Sequence, residues 1–212
     1  KIYDPTCGTG GMLSESEKLI ADPDTGLNPQ ANLELFGQEY NPESYAICGS
    51  DLMIKGEDVK NIVYGNTLGT GKAKEGFVDG DGHPHERFHY MLANPPFGVE
   101  WKPEKDNVTK EHNDFGAKGR FAPGLPRIND GSLLFLLHMI AKMQPSPAQG
   151  GEGSRIAVVF NGSPLFSGDA GSGESNIRRW IIENDMLVAG IGLPDQLFYS
   201  TGICSFLWIG TN

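Results

Sequence analysis

The sequence predicts an α/β protein built on one open, mostly parallel sheet, and three observations carry that reading. Short β-rich runs alternate with helical stretches along the chain. A glycine-rich loop, DPTCGTGG, joins the first run to the first helical stretch. The last two runs are linked by PDQLFYSTGI, too short for a helical crossover, so the final strand is expected to be antiparallel.

KIYD (1–4) is the first strand, and GMLSESEKLIA (11–21) carries apolar residues at near-helical spacing. LELFGQE (33–39) is the second strand. In NPESYAICGSDLMIKG (41–56), Asn41 reads as a helix cap and Pro42 as the first helical residue, where no N–H is needed; Gly56 lies past the end. NIVYGN (61–66) and FHYMLAN (88–94) are strands three and four. Pro95 and Pro96 stop the latter, because proline cannot donate to a ladder. DGSLLFLLHMIAKM (130–143) is a strongly apolar helix and reads as core, His138 included. RIAVVF (155–160), the helix ESNIRRWIIEND (174–185) and the strands MLVAGIGL (186–193) and CSFLWIG (204–210) complete a seven-stranded sheet with one strand reversed near the end. Residues 22–33, 67–87 and 98–130 form loops longer than such a fold requires, and the third begins directly after NPPF.

A chain of 212 residues, 38% hydrophobic and 21% charged, fits one domain with a real core, spanning residues 1–212. No apolar run approaches the roughly 18–20 residues that cross a bilayer, so no membrane association is expected. Cys7, Cys48 and Cys204 lie far apart without a CxxC pair, which argues against a disulfide framework or a zinc site and for a reducing cytoplasm. His83 and His85 occupy a glycine-rich loop and are not read as metal ligands. The net charge of −10 leaves little to grip a nucleic-acid backbone, so another domain or subunit would have to supply that. The chain opens inside a strand with no signal peptide, which suggests a fragment of a longer protein.

The glycine loop narrows the ligand. Gly8, Gly10 and Gly11 allow a tight turn and a close approach to the backbone, at the carboxyl end of a strand where open sheets bind ligands; a plain tight turn is the competing reading. Leu13 stands where a dinucleotide fingerprint needs glycine or alanine, and no Lys-Ser/Thr pair follows as in a P-loop. Asp4 at the strand end suits a cationic ligand better than a pyrophosphate. Glu39 ends strand two, where a carboxylate can accept both hydroxyls of a ribose or can simply be solvated. Asn66 ends strand three, where its amide can meet an adenine edge or serve a turn. A ribose, an adenine and a positive centre together describe S-adenosyl-L-methionine.

DPTCGTGGML, GQEYNPES, YGNTL and ANPPFG, in that order, resemble the N6-adenine DNA methyltransferases, most closely the modification subunit of type I restriction–modification systems. RFAPGLPRINDGSLLFLLHMIAKM, RIAVVFNGSPLFSG and LPDQLFYSTGI extend the resemblance over nearly the whole chain. The resemblance implies a Rossmann-like class I S-adenosylmethionine-dependent methyltransferase fold. It also implies methyl transfer to adenine N6 of a flipped base in DNA, a specificity subunit that reads the sequence, and a restriction subunit as a further partner. It assigns cofactor binding to Asp4, Thr6, Gly8, Gly10, Gly11, Glu39 and Asn66, and catalysis to Asn94, Pro95, Pro96 and Phe97. Two departures stand out. The family's upstream aromatic cofactor motif and N-terminal helical region have no counterpart here, so the chain is expected to be a catalytic core without its flanks. Asn66 also stands where many relatives of this fold carry an acidic residue.

These residue types suit that chemistry. An adenine amine is a poor nucleophile because its lone pair is delocalised into the ring. Acceptors on its N–H groups, the Asn94 side-chain oxygen and the Pro95 carbonyl, would polarise it, and successive prolines would hold those acceptors still. Phe97 would stack on a base taken out of the duplex, with a second ring from LFYSTG, Phe198 in preference to Tyr199. Lys118, Arg120 and Arg127 read either as contacts to DNA phosphates or as a solvated loop. Two other functions compete: a protein-glutamine N5 methyltransferase, whose amide poses the same nitrogen problem, and a non-catalytic nucleic-acid or subunit-binding module that kept the fold.

Overall fold

The computed structural model describes residues 1–72, 74–198 and 202–212. Its strands are β1 (Ile2–Asp4), β2 (Leu35–Glu39), β3 (Ile62–Asn66), β4 (Val78–Asp79), β5 (Tyr90–Ala93), β6 (Arg155–Asn161), β7 (Leu187–Gly192) and β8 (Ser205–Thr211). The helices are α1 (Gly11–Ala21), α2 (Pro42–Ile54), α3 (Lys105–Phe115), α4 (Ser132–Ala141), α5 (Ser163–Phe166) and α6 (Gly173–Glu183). They form one sheet of eight strands in the order β4-β3-β2-β1-β5-β6-β8-β7. All pairings are parallel except those of β8, which runs antiparallel to both β6 and β7. The reversed strand is thus where the short PDQLFYSTGI link requires it.

The sheet has one more strand than the sequence pattern predicts. The extra strand, β4, is two residues long and pairs Val78 and Asp79 with Gly65 and Asn66. A pair of residues carries no hydrophobic period, so it reads as loop. α3 was likewise hidden within residues 98–130. It is polar on nearly all sides and buries Val108 alone.

Successive strand residues point to opposite sides of the sheet, and here they feed two separate cores. Ile2, Leu35 and Ile62 join Leu13 of α1 and Leu52 of α2 on one side. Tyr3, Phe36 and Met91 join α4 and α6 on the other. Asn41 caps α2 as its position predicts, its side-chain oxygen accepting from the Glu43 and Ser44 N–H groups at 2.9 and 3.0 Å.

His138 of α4 is fully buried and bonded at both ring nitrogens. Arg120 Nη1 lies 3.1 Å from Nδ1, and Tyr3 Oη lies 3.0 Å from Nε2. Arginine can only donate, so Nδ1 accepts and the ring proton sits on Nε2, donating to the tyrosine oxygen. Burial and the Arg120 charge hold the His138 pKa well below its ordinary value, which keeps the ring neutral. Tyr3→Phe would strand that buried N–H, and we expect it to lower stability by about 1–3 kcal/mol in urea unfolding. An unchanged midpoint would mean that the bond contributes nothing.

Candidate active site

The chain steps outward from β1 through β2, β3 and β4, then returns to lay β5 against the free side of β1. At such a reversal the loops leaving the two neighbouring strands diverge and a crevice opens between them. Here those loops are DPTCGTGG after β1 and NPPF after β5. A cavity of about 550 Å³ occupies that place, within the range of small-molecule sites.

Thr6, Glu39, Asn66, Asn94 and Pro96 line this cavity, together with Pro5, Tyr40 and Leu68. Asn94 is exposed, and its side-chain amide has no hydrogen-bond partner among the described residues. Pro95 is buried behind it. The Pro96 carbonyl accepts a long 3.4 Å bond from Ser132 Oγ, which is itself held by Asp130. Phe97 is half-buried and is not among the lining residues; nor is Phe198, also half-buried. Tyr199 lies outside the described residues.

The glycine loop shapes the site from behind. Gly10 opens α1 at φ 82°, and a Cβ there would meet Cys48 Sγ at 2.6 Å, so both conformation and space demand glycine. Gly8, at φ 55°, donates its N–H to Glu39 Oε2 at 2.8 Å, while Glu39 Oε1 accepts from Asn41 N at 2.7 Å. Each Glu39 oxygen keeps a lone pair and the side chain faces the cavity, so the carboxylate both ties β2 to the glycine loop and remains able to receive a diol. Gly11 is exposed at the start of α1. Asp4 does not line the cavity. It is fully buried beneath the loop, where Oδ1 accepts from Thr6 N at 2.8 Å and orients that residue, and Oδ2 has no hydrogen-bond partner among the described residues.

The far wall is the segment that the sequence leaves as loop. Trp101 N donates to the Ile128 carbonyl at 3.0 Å and its indole N–H to that of Arg127 at 2.9 Å, stitching the chain after NPPF to the turn before α4. Arg120 is no free phosphate contact. It pairs with Glu111 of α3 at 2.7 Å and donates to the Thr67 carbonyl at 2.7 Å, besides its bond to His138. Asn107 of α3 reaches the Leu68 and Gly69 carbonyls. Asn66 turns its oxygen to its own loop, accepting from Leu68 N at 3.1 Å and Gly69 N at 3.3 Å, and its amide donates to Glu104 at 2.8 Å. Glu104, Trp101 and Tyr40 are lining residues that motif reading missed; for Tyr40, its place directly after Glu39 was the available signal.

Among the described lining residues are three carboxylates, Glu39, Glu100 and Glu104, and no lysine or arginine. That set suits a cation carrying a ribose and opposes a pyrophosphate.

The family model for N-6 DNA methylases matches residues 1–211. The chain belongs to the N-6 DNA methylase family. Among its relatives, the HindI methylase subunit of Haemophilus influenzae, a type I restriction enzyme component, is 26% identical over 98% of this chain and 40% of its own length. The MpnII methylase subunit of Mycoplasma pneumoniae is 26% identical over 98% of this chain and 35% of that subunit. The methyltransferase subunit of a type I restriction–modification system from Streptococcus thermophilus superposes with a TM-score of 0.71 at 24% identity, covering 99% of this chain and 39% of that one. The EcoKI M protein gives 0.69 at 23% identity, covering 100% and 39%. This N-6 DNA methylase chain therefore has the Rossmann-like class I methyltransferase fold, and it spans about 35–40% of the length of these relatives. Among its described residues no helix is long and apolar enough to cross a membrane.

Burial raises the Asp4 pKa to about 7. The folded chain then holds this proton to higher pH than the unfolded chain, whose aspartate titrates near ~3.9. Stability from this group is fully present below about pH 4 and is lost as pH rises through about 7. We expect Asp4→Asn, which cannot ionise, to gain stability relative to wild type across that window in denaturant titrations. Parallel pH curves for the two proteins would rule out a buried, proton-holding Asp4.

Proposed function

We propose that the chain is the catalytic core of a DNA methyltransferase that modifies adenine N6, acting as the modification subunit of a type I restriction–modification system. The observation that carries this is the pairing, across the β1/β5 reversal, of an Asn94 amide without a partner among the described residues with an acidic cavity that presents Glu39. Family membership supports it, and the named relatives are methylase subunits of type I restriction enzymes rather than glutamine methyltransferases. In this reading the chain works in the cytoplasm on DNA, beside a specificity subunit and a restriction subunit. The net charge of −10 agrees with a grip on DNA supplied by other parts of the assembly.

The group that fits the cavity is S-adenosyl-L-methionine, which brings an electrophilic methyl on a sulfonium. Thr6 and Glu39 would hold it, with Asp4, Gly8, Gly10 and Gly11 shaping the loop behind. Asn94 Oδ1 and the Pro95 carbonyl would accept the two N–H groups of the target amine. That would draw electron density onto its nitrogen and stabilise the positive charge that builds there as the N–C bond forms and the methyl–sulfur bond breaks, a neutral thioether leaving and one amine proton passing to solvent. Pro95 and Pro96 limit backbone movement, so the acceptors are set before the base arrives. Phe97 and Phe198 would sandwich the extruded base after movement from their present half-buried positions, offsetting part of the unstacking cost.

The test is methyl transfer by the intact protein, with and without its specificity partner, mapping the modified base. Asn94→Ala is expected to lower kcat about a hundredfold or more while leaving affinity for S-adenosylmethionine within about threefold. Full activity in this variant would remove the amide from catalysis. Glu39→Gln should weaken cofactor binding about tenfold in calorimetry, because a charged acceptor for the ribose is lost. An unchanged affinity would place the ribose elsewhere.

A further inference from the structure

At the end of the cavity below β3, a ligand amine finds few acceptors. The Asn66 oxygen already accepts two backbone N–H groups, from Leu68 and Gly69. The Thr67 carbonyl is taken by Arg120 at 2.7 Å, and the Leu68 carbonyl lies within reach of both Arg120 and Asn107. Of the three described lining carboxylates, Glu104 is the one bonded to Asn66. Its Oε1 accepts from the Asn66 amide at 2.8 Å, the carboxylate lines the cavity, and its other oxygen has no hydrogen-bond partner among the described residues. Glu104 is carried not by a strand end but by the turn into α3, 38 positions along the chain from Asn66.

This end of the cavity lies on the β3 side of Glu39, and Glu39 is where the ribose would be held, so a base attached to that ribose would project toward Glu104. A carboxylate fixed by an amide, with one oxygen free, is a strong acceptor for an exocyclic amine and rejects a carbonyl at the same place. We propose that Glu104 is the residue that recognises the adenine 6-amino group of the cofactor, with Asn66 serving as its positioning partner rather than as the adenine ligand itself. The proposal rests on the reading of this cavity as the S-adenosylmethionine site. It makes the wall after NPPF part of cofactor selection, so the loop that begins at the catalytic motif also reads the methyl donor.

The test compares S-adenosyl-L-homocysteine with S-inosyl-L-homocysteine, in which a carbonyl replaces the 6-amino group, by titration calorimetry on the full-length protein. Wild type should prefer the adenosyl compound by about tenfold to a hundredfold, the worth of a hydrogen bond to a charged group. Glu104→Gln has the same shape. Its amide oxygen would take the Asn66 N–H and turn an N–H toward the ligand, so the preference should fall to unity or reverse. Glu104→Ala should abolish it without reversal. A Glu104→Gln protein that keeps the wild-type preference overturns the inference, and so does one that loses affinity for both compounds equally, which is the signature of a wall that only supports the site. Wild type binding neither compound overturns the cofactor reading and this inference with it. Binding with a preference indifferent to Glu104 overturns the inference alone.

Discussion

The constraint on which the site depends is the reversal of strand order at β1. Parallel strands must be joined by crossovers, and after winding outward from β1 to β4 the chain comes back to the other side of β1. The return brings Asn94 beside Thr6, although 88 positions separate them in the sequence. Neither loop holds a site alone. The glycine loop contributes a tight turn tied to Glu39, and NPPF contributes an amide with no hydrogen-bond partner among the described residues. Parallel pairing of β1 with β5 sets them at one level.

A second arrangement completes the cavity, and it is polar rather than apolar. α3 buries Val108 and is held by side chains: Asn107 on the β3 loop carbonyls, Glu111 on Arg120, Glu104 on Asn66. The Arg120–Glu111 pair is largely shielded, with side chains 14% and 17% exposed, and Arg120 also bonds two uncharged acceptors. Shielding of this kind makes each partner costly to remove, because the survivor would be left charged and unsatisfied. The wall is therefore specified by charge geometry, in contrast to the sheet, which is specified by burial.

That contrast explains what could be read in the sequence. The strands were legible as short apolar runs, as expected where both faces of a parallel sheet are covered, and the backbone pleat then sends Ile2 and Tyr3, or Leu35 and Phe36, into opposite cores. The Asn41 cap and the reversal of β8 follow from local chemistry and from loop length. NPPF and the glycine loop were legible because proline ends a ladder and glycine permits turns that other residues do not. β4 carries no period, and KDNVTKEHNDF has too few apolar residues to announce a helix. The Asn66–Glu104 pair was out of reach for a different reason: nothing in either neighbourhood says that residues 38 positions apart will share a hydrogen bond. Arg120 looked like a surface cation because its partners, Thr67, Glu111 and His138, come from three separate segments.

The bond from Arg120 to His138 reaches further than the site. His138 of α4 is fully buried and bonded in turn to Tyr3 of β1, at the centre of the sheet. A polar surface helix would ordinarily fray on its own, opening at little cost while the core stays shut. Here the cation that holds α3 is also a donor to a buried ring. Releasing the helix would leave the Glu111 charge unpaired and a core nitrogen without its donor. α3 is therefore bound into the same cooperative unit as β1, and its amide protons should exchange with solvent on the timescale of the sheet rather than of the surface.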